Sequence, residues 1–226
     1  MTLLAEDLLL LLLDDEDGSL AASSQVPVAL GGALLAELAL DGRVEVGEKE
    51  GFWRQATVHV ADGPPDDDVL AVAHARVAEK ERTAQDLVAR LGRGVKDELL
   101  ERLAARGVLE RRTDKVLGLL PRTRWPALDS SHEQAVRRDL AAVLVTGTTP
   151  EPRTAALVSV LSALDRAHKV VEPGPEGARA VRRRAREVAE GGWAAKGVAD
   201  AIAATNAAIA TAIAASAATT AATSGS

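Results

Sequence analysis

Cysteine and tyrosine are both absent from this chain of 226 residues, which has one Phe and three Trp. The lack of cysteine excludes disulfides, thiolate metal sites and thiol catalysis. So few aromatic side chains leave little to stack on bases or sugars, which argues against binding of single-stranded nucleic acid or carbohydrate. Stability must therefore come from the packing of Leu, Ala and Val, which supply most of the 47% apolar content.

Acidic residues outnumber basic ones, by 33 to 27, which gives a formal net charge of −6 at pH 7. Binding to DNA through general electrostatics needs an excess of Lys and Arg, so no nucleic-acid partner is expected. Any anion-binding surface must be a local patch. The 27 basic residues are 6 Lys and 21 Arg, which together with abundant Ala is typical of a GC-rich bacterial genome. We expect a bacterial, actinobacterial protein.

A run of six leucines at residues 8–13 is the most hydrophobic stretch near the N-terminus. It follows Glu6 and Asp7 and precedes an acidic segment at residues 14–17, so it has no basic region like that of a signal peptide. It is also far shorter than the roughly 20 apolar residues of a membrane-spanning helix. The run predicts a buried helix in a cytoplasmic protein.

Hydrophobic periodicity predicts a mainly α fold, with a single multi-helix domain and short β-hairpins. Predicted helices cover residues 2–13, 27–40, 83–91, 95–106, 131–144, 152–167 and 176–190, and another follows Asp66, Asp67 and Asp68, which favour a helix N-terminus. The predicted hairpins pair residues 43–46 with 56–60, and residues 108–110 with 116–120 around a turn at residues 113–114.

The C-terminal segment is rich in Ala, and its larger apolar residues have helical spacing. Val198, Ile202, Ile209 and Ile213 form a stripe that predicts docking on the core. We expect the domain to comprise residues 1–218, followed by a frayed tail at residues 219–226.

Two helix-to-strand passages resemble each other, at residues 34–42 and 99–107. Leu, Ala and Gly recur in register between them. Either the chain contains an internal duplication, or two leucine-faced helices each end at a C-cap glycine.

Recognised motifs for catalysis, metal binding or nucleotide binding are absent. None of the four histidines has metal-ligand spacing, and the chain has no nucleophile elbow, phosphate loop or dinucleotide fingerprint. The acidic segment at residues 14–18 lacks the alternate ligand spacing of an EF-hand, so it predicts a solvated turn. The sequence thus predicts no catalytic residue, no metal site and no cofactor.

Arg90, Arg93 and Lys96 approach the start of the predicted fifth helix, where the backbone dipole disfavours cations. Cations at this place have two explanations. They bind a phosphate together with the free N–H groups of the helix, or they pair with nearby acids at residues 97, 98 and 101.

A second basic cluster lies in the predicted last helix, where five arginines occur within eight residues: Arg179, Arg182, Arg183, Arg184 and Arg186. Together they extend too far around a helix to form one stripe. The cluster indicates either a solvated face or attraction to an anionic membrane surface.

Four segments in order resemble the Golgi phosphoprotein 3 family. They are LAEDLLLLLLDDEDG (residues 4–18), ALGGALLAELALDGR (29–43), LERLAARGVL (100–109) and PRTAALV (152–158). The resemblance implies a non-enzymatic, mostly helical protein that binds phosphatidylinositol 4-phosphate on the cytosolic face of membranes. In eukaryotic members it also implies recruitment of glycosyltransferases through their cytoplasmic tails.

The resemblance also implies which residues contact the lipid headgroup. Two basic positions of the family fall on Arg93 and Lys96, with Arg90 nearby, whereas its Arg and Trp positions fall on Gly31 and near Ala22. A different anionic headgroup would therefore suit this chain as well. The family's self-association element implies a pairing hairpin here, formed by Val108, Leu109, Val116, Leu117 and Leu119.

Three other hypotheses are a winged-helix regulator, a protein-interaction scaffold without lipid binding, and an enzyme without a recognised motif. The order of helix, Gly and hairpin at residues 95–120 favours the winged helix, but residues 97–106 carry three acids against two arginines. Paired carboxylates in a deep pocket would favour the enzyme, and a shallow basic depression would favour lipid binding.

Overall fold

Helices dominate the fold. A computed structural model describes residues 2–14, 18–21, 24–46, 57–116, 120–191, 207 and 209–211. Its helices are α1 (Leu4–Leu12), α2 (Val26–Leu40), α3 (Asp68–Ala78), α4 (Ala84–Leu91), α5 (Val95–Ala105), α6 (Ser131–Leu144), α7 (Pro152–Ala163) and α8 (Gly177–Ala189), with a 3-10 helix at Ala167–Lys169. Its strands are β1 (Val44–Val46), β2 (Thr57–Val60), β3 (Arg82–Thr83), β4 (Arg112–Val116) and β5 (Leu120–Arg124). The predicted mainly α class with short hairpins is confirmed.

Helix α1 lies inside the core, since every residue from Leu4 to Leu12 is buried. It contacts α2, α5, α6 and α7, so the leucines of the N-terminal run face several neighbours at once. This explains why the run has no polar side. The predicted buried helix is confirmed.

Two glycines bring α2 and α4 together backbone to backbone. A Cβ added to Gly31 would lie 1.9 Å from the carbonyl oxygen of Val88, and one added to Gly92 would lie 1.7 Å from that of Pro27. Neither glycine has a positive φ, so their small size explains their presence. The contact fixes the end of α4, which carries Arg90, against α2.

A small antiparallel sheet has the strand order β1-β2-β3. Val44 of β1 lies opposite Val60 of β2, which confirms the first predicted hairpin. Strand β3 was not predicted, because it has only two residues and pairs Thr83 with Thr57. It leads directly into α4.

The second hairpin lies later in the chain than predicted. Thr113 and Asp114, which the sequence suggested as the turn, lie within β4 opposite Thr123 and Arg122 of β5. The residues between the two strands, 117–119, are outside the described part of the chain, so Leu117 and Leu119 are too. The strand sequences RTDKV and LPRTR are largely polar.

The reason for the shift is the connection after α5. The Val108 amide closes the end of α5 by donating to the Leu103 carbonyl at 3.0 Å, and Leu109 is buried and forms a bridge with Ala127. Residues 108–110 thus run beside residues 126–128, and the hairpin begins only beyond them. Of the predicted pairing residues, Val116 ends β4, whereas Val108 and Leu109 precede it.

Helices α2 and α5 end in the same way. Gly42 and Gly107 have φ values of +67° and +73°, which only glycine adopts readily. The next amide donates back across each glycine, from Arg43 to Leu38 at 2.8 Å as from Val108 to Leu103. This is the Schellman arrangement, and it accounts for the recurring Leu and Gly without requiring a duplication.

Helix α7 ends at Ala163, before the predicted end at residue 167, because Asp165 has a φ of +52°. The Arg166 amide then donates to the Leu161 carbonyl at 2.8 Å and closes the helix. None of the helices in the described residues has the length and apolar character needed to cross a bilayer.

The C-terminal segment reaches the core through Ile209, which is buried and lies against Gly32 of α2. This agrees with the predicted docking of the apolar stripe. The described residues do not include the other members of the stripe, which are Val198, Ile202 and Ile213. They do not include the tail at residues 219–226 either.

Candidate anion-binding site

Two arginines from different elements face one surface depression. Arg76 of α3 and Arg93, which lies between α4 and α5, both line two adjoining depressions of about 220 and 160 Å³. Neither guanidinium has a hydrogen-bond or ion-pair partner among the described residues. The carboxylates of Glu98 and Glu79 line the smaller and the larger depression, so the two guanidinium groups have acids nearby but no direct partner. A bound anion would give them one.

The smaller depression combines these charges with apolar surface. Its apolar lining residues are Leu34, Val69, Val72, Ala73, Leu91 and Val95. Val72 is 51% exposed, although α3 packs against the core on its other side. A ligand held here would meet cationic groups and an apolar wall together.

The start of α5 opens at the same place, because Gly94 also lines the depression. Gly94 has a φ of +78° and no side chain caps the helix, so the first-turn N–H groups of α5 have no side-chain acceptor. Such N–H groups and the helix dipole favour a bound anion. They act here beside the Arg93 guanidinium.

Arg90 lines the larger depression but is not free to the same extent. Its Nε lies 3.0 Å and 3.2 Å from the two carboxylate oxygens of Asp86, which Arg82 also approaches at 3.1 Å. Partial burial alone would raise the pKa of Asp86, but the hydrogen bonds from Arg90 and Arg82 outweigh it and lower that pKa. Arg90 therefore serves mainly to pair with Asp86.

Lys96 is not among the residues that line either depression. Its Nζ lies 3.2 Å from a carboxylate oxygen of Asp97, and both side chains are well exposed. Exposed pairs of this kind contribute little to stability, so the ammonium can exchange this partner for another. The structure thus brings together Arg90, Arg93 and Arg76, and leaves Lys96 outside the two depressions.

The resemblance to the lipid-binding family places an arginine position on Gly31, and the structure shows why this chain has none there. Gly31 lies within α2 against Val88 of α4, where even a methyl group would clash. Arg76 supplies a cation from α3 instead. Sequence analysis missed it because it is 17 positions from Arg93 and nothing in the helical pattern of α3 sets it apart.

A second set of charged residues is buried under the start of α1. Glu6, Asp7 and Glu37 are 0%, 4% and 1% exposed. Arg153 of α7 donates to Glu37 and, through Nη2, to Asp7 at 3.0 Å and to the Thr2 carbonyl at 2.6 Å. The Leu4 amide donates to Glu37 at 2.8 Å. These contacts tie the beginning of the chain to α2 and α7.

Glu6 is neutralised in a similar way from α5. Its Oε1 lies 2.7 Å from Arg106 and 3.3 Å from Arg102, without the alignment of a hydrogen bond. Arg102 also binds Asp67 through two hydrogen bonds of 3.0 Å and 2.7 Å, and Asp67 caps α3. Burial raises the pKa of Glu37, although Arg153 acts against this shift.

These carboxylates face arginines and not one another, which is typical of a structural ion-pair network and not of an acid–base pair. Among the described residues, no group of three or more His, Asp or Glu is placed to hold a metal ion. Sequence analysis did not predict the network, because Glu6 and Asp7 look like the polar flank of a leucine run.

Residues 4–205 match the family model described as Golgi phosphoprotein 3 (GPP34). No curated protein matches the chain. The matched region covers α1 to α8 and contains all four segments on which the sequence resemblance rests. The family consists of non-enzymatic, Golgi-associated adaptors. The chain therefore belongs to the Golgi phosphoprotein 3 family.

Proposed function

We propose that this protein is a peripheral membrane adaptor that binds the headgroup of phosphatidylinositol 4-phosphate, or of another anionic phospholipid, on the cytoplasmic face of a membrane. The headgroup occupies the depression between α3 and the start of α5. Arg76 and Arg93 bind its phosphate, and Lys96 supports them from the first turn of α5. Arg90 contributes positive charge while it remains paired with Asp86.

One observation carries this proposal. Arg76 and Arg93, from different parts of the chain, line the same depressions beside Glu79 and Glu98, and neither guanidinium has a hydrogen-bond or ion-pair partner among the described residues. A phosphate supplies the missing acceptor, and the uncapped N–H groups of α5 add further donors. The exposed Val72 would lie against the apolar part of the lipid beneath its headgroup.

The test is co-sedimentation of the purified protein with liposomes of three kinds: with phosphatidylinositol 4-phosphate, with other anionic lipids, or with neutral lipid alone. Wild type is compared with Arg76→Ala/Arg93→Ala and with Arg93→Ala/Lys96→Ala. Since hydrogen bonds to charged groups contribute about 1.5–3 kcal/mol each, we expect either double variant to lower the binding constant more than tenfold.

Arg138→Ala is the matched control, because Arg138 is exposed on α6 and has no hydrogen-bond or ion-pair partner among the described residues. It should bind like wild type. Arg90→Ala should have a smaller effect than Arg93→Ala, since Arg90 is held by Asp86. If wild type binds no liposome, the lipid proposal is wrong and the fold serves protein partners instead.

A further inference from the structure

The arginines of α8 divide into two sets with different surroundings. Arg182 donates to Asp165 at 2.9 Å and lies 2.9 Å from Nε2 of His168, whose pKa is lowered by burial and by the Arg182 charge. Arg184 donates to the carbonyl groups of Val143, Gly147 and Thr148 at 3.3–3.4 Å. These two arginines hold α8 onto its neighbours.

Arg179, Arg183 and Arg186 remain, and they form an exposed arginine stripe. Their spacing of four and three residues places them on one side of the helix, about 10 Å long, at about 100° of rotation and 1.5 Å of rise per residue. The buried face of α8, with Val181, Ala185 and Val188, lies on the opposite side. This agrees with the sequence prediction that the five arginines together do not form one stripe, because Arg182 and Arg184 lie off it.

The stripe has few direct partners among the described residues, although Glu190 follows Arg186 by four residues on the same side of the helix. Arg179 and Arg186 have no hydrogen-bond or ion-pair partner among the described residues. Arg183 has only long, exposed approaches, 3.6 Å to Glu176 and 3.9 Å to Glu187. Arg179 also lies in the first turn of α8, and Arg179 and Arg183 are like charges one turn apart, both of which disfavour the helix. Arg186 lies in the last turn, where a cation favours the helix, so the unfavourable position is that of Arg179 beside Arg183. An external anion would supply the counter-charge that this part of the stripe lacks.

We propose that this arginine stripe is a second membrane contact, which binds an anionic lipid leaflet through its charge and without selecting a headgroup. The stripe is a ridge, and three guanidinium groups on a ridge reach several phosphates of a flat leaflet at once. The nearest depression contains the carboxylates of Glu176 and Glu187, which disfavour a single anion bound inside it. This inference rests on the proposed function for the membrane location of the protein.

The test uses vesicles of phosphatidylcholine with phosphatidylglycerol, free of phosphoinositide. Arg179→Gln/Arg186→Gln is compared with the matched control Arg138→Gln/Lys169→Gln, which removes the same charge from two exposed side chains of a neighbouring depression that are not part of the stripe. Each basic residue near an anionic leaflet contributes about 1 kcal/mol, so the stripe variant should partition roughly 10- to 30-fold more weakly at low salt. The control should partition like wild type, and high salt should reduce the difference.

Arg179→Lys/Arg183→Lys/Arg186→Lys keeps the charge and should retain binding. Loss of vesicle binding in this variant would mean that the arginines bind lipid phosphates through bidentate hydrogen bonds and not through charge alone, and it would overturn the proposal as stated. Equal partitioning of the stripe variant and its control would overturn it as well.

Arg76→Gln/Arg93→Gln separates this proposal from the headgroup site. If the stripe variant loses binding to phosphatidylglycerol while Arg76→Gln/Arg93→Gln shows no loss with any headgroup, the stripe is supported and the headgroup site is wrong. If Arg76→Gln/Arg93→Gln loses binding and the stripe variant does not, the stripe proposal is wrong. Thermal unfolding by circular dichroism checks that each variant is folded.

Discussion

Gly31 of α2 and Gly92 at the end of α4 face each other so closely that a Cβ on Gly31 would lie 2.8 Å from the Gly92 amide nitrogen. Arg93 follows Gly92 directly, so this contact also determines where Arg93 lies. Because neither glycine has a side chain, α2 and the end of α4 approach closely, and this approach positions the Arg93 side chain at the candidate anion-binding site.

Gly31→Ala should destabilise the protein and weaken headgroup binding together. Overpacking of this kind typically costs about 1–3 kcal/mol, and backbone atoms cannot rotate away from the new methyl group. Urea unfolding and liposome binding measure the two effects. Gly63→Ala is the control, because no atom lies within 4 Å of its would-be Cβ. Equal stability of the two variants would contradict the observed contact.

The sequence predicts the helices well because each has either an apolar period or, as in α1 and α2, a long apolar run, and most have a distinct end. Gly42, Gly107 and the acids before α3 mark boundaries that the structure confirms. Strand positions were less predictable. β4 and β5 have largely polar sequences without alternation, and Thr113 and Asp114 have a composition typical of turns, so only the pairing register reveals them as strand residues.

Arg153→Met should destabilise the protein strongly, because it leaves the buried Glu37 without its cation and leaves Asp7 with His132 as its remaining side-chain partner. Breaking one side of a buried ion pair costs about 3–5 kcal/mol. Arg138→Met, on an exposed arginine without a partner in the described residues, should change the free energy of unfolding by less than about 0.5 kcal/mol. Urea unfolding at neutral pH compares them.

Glu37→Gln should offset part of the destabilisation that Arg153→Met causes. Glu37→Gln removes the buried charge, so Arg153→Met/Glu37→Gln should be more stable than the sum of the two single effects predicts. Strict additivity would show that Arg153 and Glu37 do not interact energetically.

Asp67 gives the fold a component of stability that depends on pH. Burial alone would raise its pKa, but the hydrogen bonds from Arg102 and the α3 amides lower it below the model value of 3.8. Near neutral pH the folded and unfolded states both have ionised Asp67. As pH falls below 3.8 the unfolded state binds the proton first, so this stability is lost.

Asp67→Asn should therefore be less stable than wild type at pH 7, by about 1–3 kcal/mol, since one partner of the Arg102 contact is removed. The difference should shrink as pH is lowered below 3.8. Urea unfolding at several pH values measures this. A difference that stays constant with pH would mean that ionisation of Asp67 does not contribute to stability.

The hairpin of β4 and β5 is expected to support self-association. A sheet of two strands leaves an unpaired edge on each strand, which can add a strand from another copy. Replacing residues 112–124 with a short Gly-Ser linker keeps the bridge between Leu109 and Ala127. Sedimentation velocity over a range of concentrations should show association in wild type and not in this variant. Identical behaviour of the two would rule the hairpin out.

The sequence alone predicts some residues of the candidate site and not others, and the difference has a physical reason. Arg93 and Lys96 stand out because cations at a helix start are unusual, and that signal is local. Arg76 is distinguished only by its lack of a partner, which depends on how α3 packs beside α5. The same holds for the arginine stripe, which becomes visible once Arg182 and Arg184 are seen to bind elsewhere.

The contact of Arg153 with Asp7 and the Thr2 carbonyl has a consequence for synthesis of the chain. The two partners of the Arg153–Asp7 hydrogen bond are 146 residues apart, so at about 5–20 residues per second the ribosome needs roughly 7–30 s to add the second one. During that time the leucines of α1 have no completed core to enter. We expect the nascent chain to need a chaperone until α7 has left the ribosome.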